Sequence, residues 1–296
     1  MKIILSKKTF PLLFILLLII FFSSGSNFQF QGSLKKEFQV DTIRNIIRFE
    51  SIKNKKIIIW PTEEIWNDSE KFNELKNYFG FWGVVIKPYR NFINRAVSAG
   101  FDSSEITALY WGVNYTKNVY GLGAVYADET DNNFYKKKLL DYSPDSVRQT
   151  FQNLKMNSPV TKFIIGTFKR LRDSSANRII ANEFQSEYMP YSDFITYTDY
   201  YCNCPNLINQ EDQRPAWKEM KDMFGDKFSM VWIGAHKDTL DYSSLFEEAN
   251  LLGINEVGFY QYQDPNSDFS NIEKFCEIAW QKGWLKKIEE VFIIEN

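Results

Sequence analysis

The stretch Tyr120-Gly-Leu-Gly-Ala-Val-Tyr-Ala-Asp-Glu129 runs from small residues through a β-prone apolar core and stops on two adjacent carboxylates. Acids at the end of a buried strand need hydrogen bonds or a charged partner to offset their desolvation. In a repeated strand–helix chain, such strand ends point into the mouth where ligands bind. A carboxyl held against an apolar wall keeps its proton to higher pH and can act as a general acid. Glu129 is therefore the candidate proton donor, and Asp128 either supplies the negative charge or holds Glu129 in place. Cleavage of a glycosidic bond needs such an acid and an ionised carboxylate across from it, about 5 Å away for retention or about 6.5–9.5 Å for inversion. Asp199 and Glu63, each at the end of another strand, are the candidates for that partner. The plainer alternative is that Asp128 caps a loop or helix and Glu129 is solvated.

The other strand ends carry polar and aromatic groups of the same kind. Trp60 precedes Pro-Thr-Glu63-Glu64, Lys87 ends a second strand, and Tyr126 stands just before Asp128. Lys169 and Arg170 follow a further strand, and Tyr197, Asp199, Tyr200 and Tyr201 another. Trp232 and His236, then Tyr260, Gln261 and Tyr262, complete the set. Flat apolar ring faces suit pyranose rings, so Trp60, Tyr126, Tyr200, Trp232, Tyr260 and Tyr262 are candidate substrate-binding residues. Gln261, Lys169 and His236 join them as polar contacts. The bland readings stand beside these: the rings as core, Lys169-Arg170 as a solvated loop, and His236, the one histidine of the chain, as a satisfied structural group.

The elements that position these groups alternate. Apolar runs at 56–60, 82–86, 119–129, 162–168, 193–199, 228–234 and 256–262 read as strands buried on both faces. Between them lie helical patterns: 67–79 after Asn67-Asp-Ser-Glu70, 90–99 closed by Gly100, 103–113 opened by Asp102-Ser-Ser-Glu105, and 143–154 opened by Ser143-Pro144. Helices are also expected at 177–187, 215–224, 242–252 and 271–282, while Val291–Ile294 reads as an eighth strand or as the tail of the last helix. Strands alternating with helices over residues 56–296, with no Gly-rich phosphate loop after the first, predict a parallel (β/α)8 TIM-type barrel in one domain. Residues 27–55 form a lead-in whose Ile43, Ile46, Ile47 and Phe49 suit one helix.

Composition narrows the partners. With 296 residues and a net charge of −2, there is no basic block for nucleic acid. Aromatic residues make up 17% of the chain, which fits an aromatic core or a sugar-binding cleft. Cys202-Asn-Cys204 is too closely spaced for a zinc half-site and no second Cys/His pair follows, so no metal or other cofactor is expected, and these thiols and Cys276 read as free or structural. Lys2, Lys7 and Lys8, the apolar run Phe10–Phe22 and then Ser23-Ser-Gly-Ser26 have the order of a secretory signal. The apolar run is short of the ~20 residues a spanning helix prefers. Residues 1–26 are thus expected to be a signal peptide or an uncleaved anchor. The rest would be secreted, periplasmic or on the cell surface, touching a membrane through that anchor alone.

Tyr126-Ala-Asp128-Glu129, at a strand end of an exported strand–helix chain, resembles the strand ending in Asp-Glu of glycoside-hydrolase-like (β/α)8 proteins, over residues 56–295. The resemblance implies a second catalytic Glu on a late strand, where this chain has Tyr260-Gln-Tyr-Gln263 and then Asp264. Two readings follow for a carbohydrate partner: hydrolysis by carboxylate acid catalysis, or a barrel that binds glycan without cleaving it. A metal-dependent hydrolase using Asp128, Glu129, Asp199 and His236 ranks last, because no H-x-H or H-x-x-E-H spacing supports it.

Overall fold

Lys56-Ile-Ile-Ile-Trp60 has no polar face, so it is stable as a strand only when covered on both sides. It opens a closed barrel. The computed structural model describes residues 3–6, 42–109, 117–127, 144–167, 188–197, 214–234, 241–261 and 269–295. After β1 (Ile3–Ser6) and β2 (Thr42–Ser51), the barrel strands are β3 (Lys56–Trp60), β4 (Gly83–Ile86), β5 (Ile106–Leu109), β6 (Ala124–Ala127), β7 (Lys162–Thr167), β8 (Phe194–Tyr197), β9 (Phe228–Gly234) and β10 (Glu256–Tyr260). Each pairs in parallel with the next, and β10 closes the ring by pairing with both β9 and β3. Helices Glu63–Asn67, Ser69–Asn77, Arg90–Ser98, Pro144–Asn157, Arg214–Phe224, Tyr242–Leu251 and Ser270–Gln281 connect them. This is the (β/α)8 barrel expected from the chain's rhythm.

Local signals explain most boundaries. Asp68 accepts from Glu70 N and Lys71 N and so starts its helix. Gly100, at φ +92°, ends Arg90–Ser98, because an L side chain there would be strained. Phe72, Leu75, Phe246 and Phe275 turn inward from helices and join the strand residues in one apolar core.

Three expectations are corrected. The Asp102–Glu105 capping box is present, but it opens only a short 3-10 turn, Ser103–Glu105. Ile106-Thr-Ala-Leu109 then continues as a buried strand, not a helix, so Ala124–Ala127 is the fourth barrel strand and Glu256–Tyr260 the eighth. Ile43, Ile46, Ile47 and Phe49 belong to strand β2 and not to a helix: β2 pairs antiparallel with β11 (Leu285–Glu295) over ten matched positions, and that long-range pairing overrides the local spacing. Val291–Ile294 lies within β11, outside the barrel, where it also pairs with β1. The helix expected at 177–187 lies outside the described residues. No described helix is long and apolar enough to cross a membrane, and residues 10–22 are not among those described.

Candidate active site at the C-terminal mouth

Along β3, β6, β9 and β10 alternate side chains face the barrel interior, and at their C-terminal halves these are large rings. Trp60 ends β3 and Tyr260 ends β10, with ring centres 5.0 Å apart and planes at 88°. Trp232 lies 6.0 Å from Trp60 and 5.4 Å from Tyr126, and Tyr126 is 6.3 Å from Trp60. Edge-to-face and tilted pairs at these separations suit the ring quadrupoles. Four of the predicted substrate-binding residues are therefore brought together from strands far apart in the chain. They are only 1–6% exposed, so they form the floor beneath the mouth and not its open wall.

One residue missed in the sequence makes this floor possible. Gly258, inside β10, sits under the Trp232 ring, and a Cβ there would lie 2.3 Å from Trp232 Cε3. A glycine inside a strand pattern is the available signal for such close approach.

Gln261 follows Tyr260 directly, and its backbone N–H donates to the Trp60 carbonyl at 2.9 Å. Its side chain is fully buried, yet neither amide atom has a hydrogen-bond partner among the described residues. The Trp232 Nε1 proton is likewise buried without an acceptor among the described residues. Buried polar groups are ordinarily paired, and leaving one unpaired costs about 1–3 kcal/mol.

Glu63 stands elsewhere. It opens helix Glu63–Asn67 behind the Thr62 cap, with its side chain 58% exposed and its Oε1 2.8 Å from Lys87 Nζ. The ends of the first two barrel strands thus meet in an ion pair. With β5 counted, Glu63 belongs to a strand three places from the one that leads to Glu129, and Asp199 follows a strand two places from it. Asp128, Glu129, Lys169, Asp199, Tyr200, His236 and Tyr262 lie outside the described residues. Tyr126-Ala127, which lead into Asp128-Glu129, are buried at the end of the fourth strand.

Among the described residues no group of three His, Cys, Asp or Glu side chains could hold a metal ion. Cys276 is a buried free thiol whose ionisation is pushed well up by burial, with Glu273 and Glu277 adding to the effect, and it is the inert kind. Cys202 and Cys204 lie outside the described residues.

No protein-family model and no curated protein sequence matches the chain. Solved structures do. A sugar phosphate isomerase/epimerase from Parabacteroides distasonis superposes with a TM-score of 0.53 at 11% identity, over 79% of this chain and 96% of that one. A GH18 chitinase from Pseudoalteromonas aurantia gives 0.48 at 12% identity over 77% and 99%. A GH30 endoxylanase from Clostridium papyrosolvens gives 0.48 at 11% identity over 80% and 74%. At 11% identity the first of these matches bears on the fold alone, the closed eight-stranded barrel described above.

Proposed function

We propose that the chain is an exported barrel acting on a poly- or oligosaccharide at its C-terminal mouth, with Glu129 as general acid and Asp128 beside it. One observation carries this reading. Trp60, Tyr126, Trp232 and Tyr260 gather at a single end of the barrel, the end from which Asp128-Glu129 lead, with a Gln261 amide that has no partner among the described residues. Such sites combine an apolar floor with a few polar groups that lack partners until a ligand supplies them. Asp199 is the better candidate for the second carboxylate, since Glu63 is exposed and paired with Lys87. The Lys-flanked apolar run Phe10–Phe22 supports export.

A second reading is favoured by one residue. Where the resemblance calls for a late-strand Glu, the eighth strand runs into Gln261, which suits a barrel that holds glycan without cleaving it. Incubation with a panel of soluble β-glucans, xylans and chitooligosaccharides separates the two. New reducing ends support hydrolysis, and retention of a glycan without new ends supports the binding reading. Neither cleavage nor retention across the panel removes the sugar proposal.

A further inference from the structure

A second concavity lies at the opposite, N-terminal end of the barrel. Its volume is about 280 Å³, near the ~300 Å³ at which small-molecule pockets begin. Lys56, Ala124, Lys162, Phe194 and Glu256, each the first residue of a barrel strand, contribute to its wall. The interior of such a barrel is normally filled by layers of branched side chains. Here the lowest layer lacks volume. Ala124 offers one methyl, and Gly123 beside it, where a Cβ would lie 2.0 Å from the Ser104 carbonyl oxygen, offers none.

The wall divides chemically. Ile58, Ile164 and Phe194 supply an apolar lining. Thr107 is more than nine-tenths buried on this wall, and its hydroxyl bonds to no described residue. Lys56 is compensated, with its Nζ 3.2 Å from Glu256 Oε1 and 3.9 Å from the centre of the Trp82 ring. Lys162 has no ion-pair or hydrogen-bond partner for its ammonium among the described residues. One uncompensated positive charge beside an apolar lining selects a ligand with a single anionic group. The Glu256 carboxylate opposes a second negative charge, which disfavours a phosphate dianion.

We propose that this base cavity binds a compact aromatic monocarboxylate. Its ring would lie against Ile58, Ile164 and Phe194, its carboxylate toward Lys162, with the Thr107 hydroxyl donating a hydrogen bond. The site is independent of the sugar reading of the mouth.

The test is calorimetric titration of the protein with phenylacetate at low salt, with phenylacetamide as the neutral probe of the same shape. Phenylacetate binds with a Kd of about 1 mM or tighter, and the amide at least about tenfold more weakly. Lys162→Glu, at an exposed position, weakens phenylacetate at least about tenfold with the melting temperature unchanged, and the near-isosteric Thr107→Val weakens it about threefold. Absence of binding, equal affinity for acid and amide, or full affinity in Lys162→Glu each overturns the proposal.

Discussion

The two ends of the barrel are built by opposite means. At the mouth, four rings fill the interior, and buried polar atoms of Gln261 and Trp232 have no partner among the described residues. At the base the interior is left open over Ala124 and Thr107, and the strand starts are tied down by charge. Lys155 Nζ lies 2.6 Å from Asp193, whose Oδ2 also accepts the Phe163 N–H at 2.8 Å. Lys76 pairs with Glu105 at 2.6 Å, and Lys227 donates to the carbonyls of Met189 and Ser192. One end thus concentrates the apolar burial of large rings. The other uses the reach of lysine to bind helix ends and loops to the sheet.

If ring packing closes the mouth, removing its central ring has the largest effect. Trp60→Ala lowers unfolding free energy by about 3–5 kcal/mol in denaturant titration. A loss below that of Asp193→Ala would break the contrast between the ends. Gly258→Ala follows at about 3 kcal/mol, because the Trp232 ring must leave its place. Its signature is a changed near-ultraviolet dichroism with the far-ultraviolet spectrum kept. At the base, Asp193→Ala strands the Phe163 N–H and the Lys155 charge and costs about 1–3 kcal/mol. Breaking the exposed Glu63–Lys87 pair by Lys87→Ala costs under about 1 kcal/mol, and less in high salt.

The smallest effect is a pH dependence at the base. Burial lowers the Lys55 ammonium below its ordinary 10.5. Burial also lowers Lys227, with the Asp193 charge acting in the opposite sense. As pH rises through the folded values toward 10.5, the folded chain loses these protons first and the burial penalty is relieved. Wild-type stability relative to the Lys55→Met/Lys227→Met variant therefore rises with pH in that window. A flat or falling difference in paired denaturant titrations contradicts this.

The sequence carried the barrel's rhythm and the four rings at its C-terminal end. Runs such as Lys56–Trp60 and Phe228–Gly234 are apolar on both faces, a pattern that burial between barrel interior and helices demands and that needs no tertiary knowledge to read. Ile106–Leu109 escaped because four residues are too few to show a period, and a genuine capping box stood immediately before them. Helical spacing at Ile43–Phe49 misled because pairing with β11, more than 230 residues away, decides that segment. Trp60, Tyr126, Trp232 and Tyr260 were legible as strand-end rings, but their mutual burial depends on barrel closure and on Gly258. The Glu63–Lys87 pair and the base cavity arise from the register between strands, which leaves no trace in local spacing.

The most direct test of the central claim is Glu129→Gln assayed on whichever glycan the wild-type chain cleaves, with turnover and affinity measured together. A general acid at the end of the fourth strand predicts a fall in kcat of about 10²–10⁴-fold, with glycan affinity within about threefold of wild type. Undiminished turnover in that variant would contradict the account.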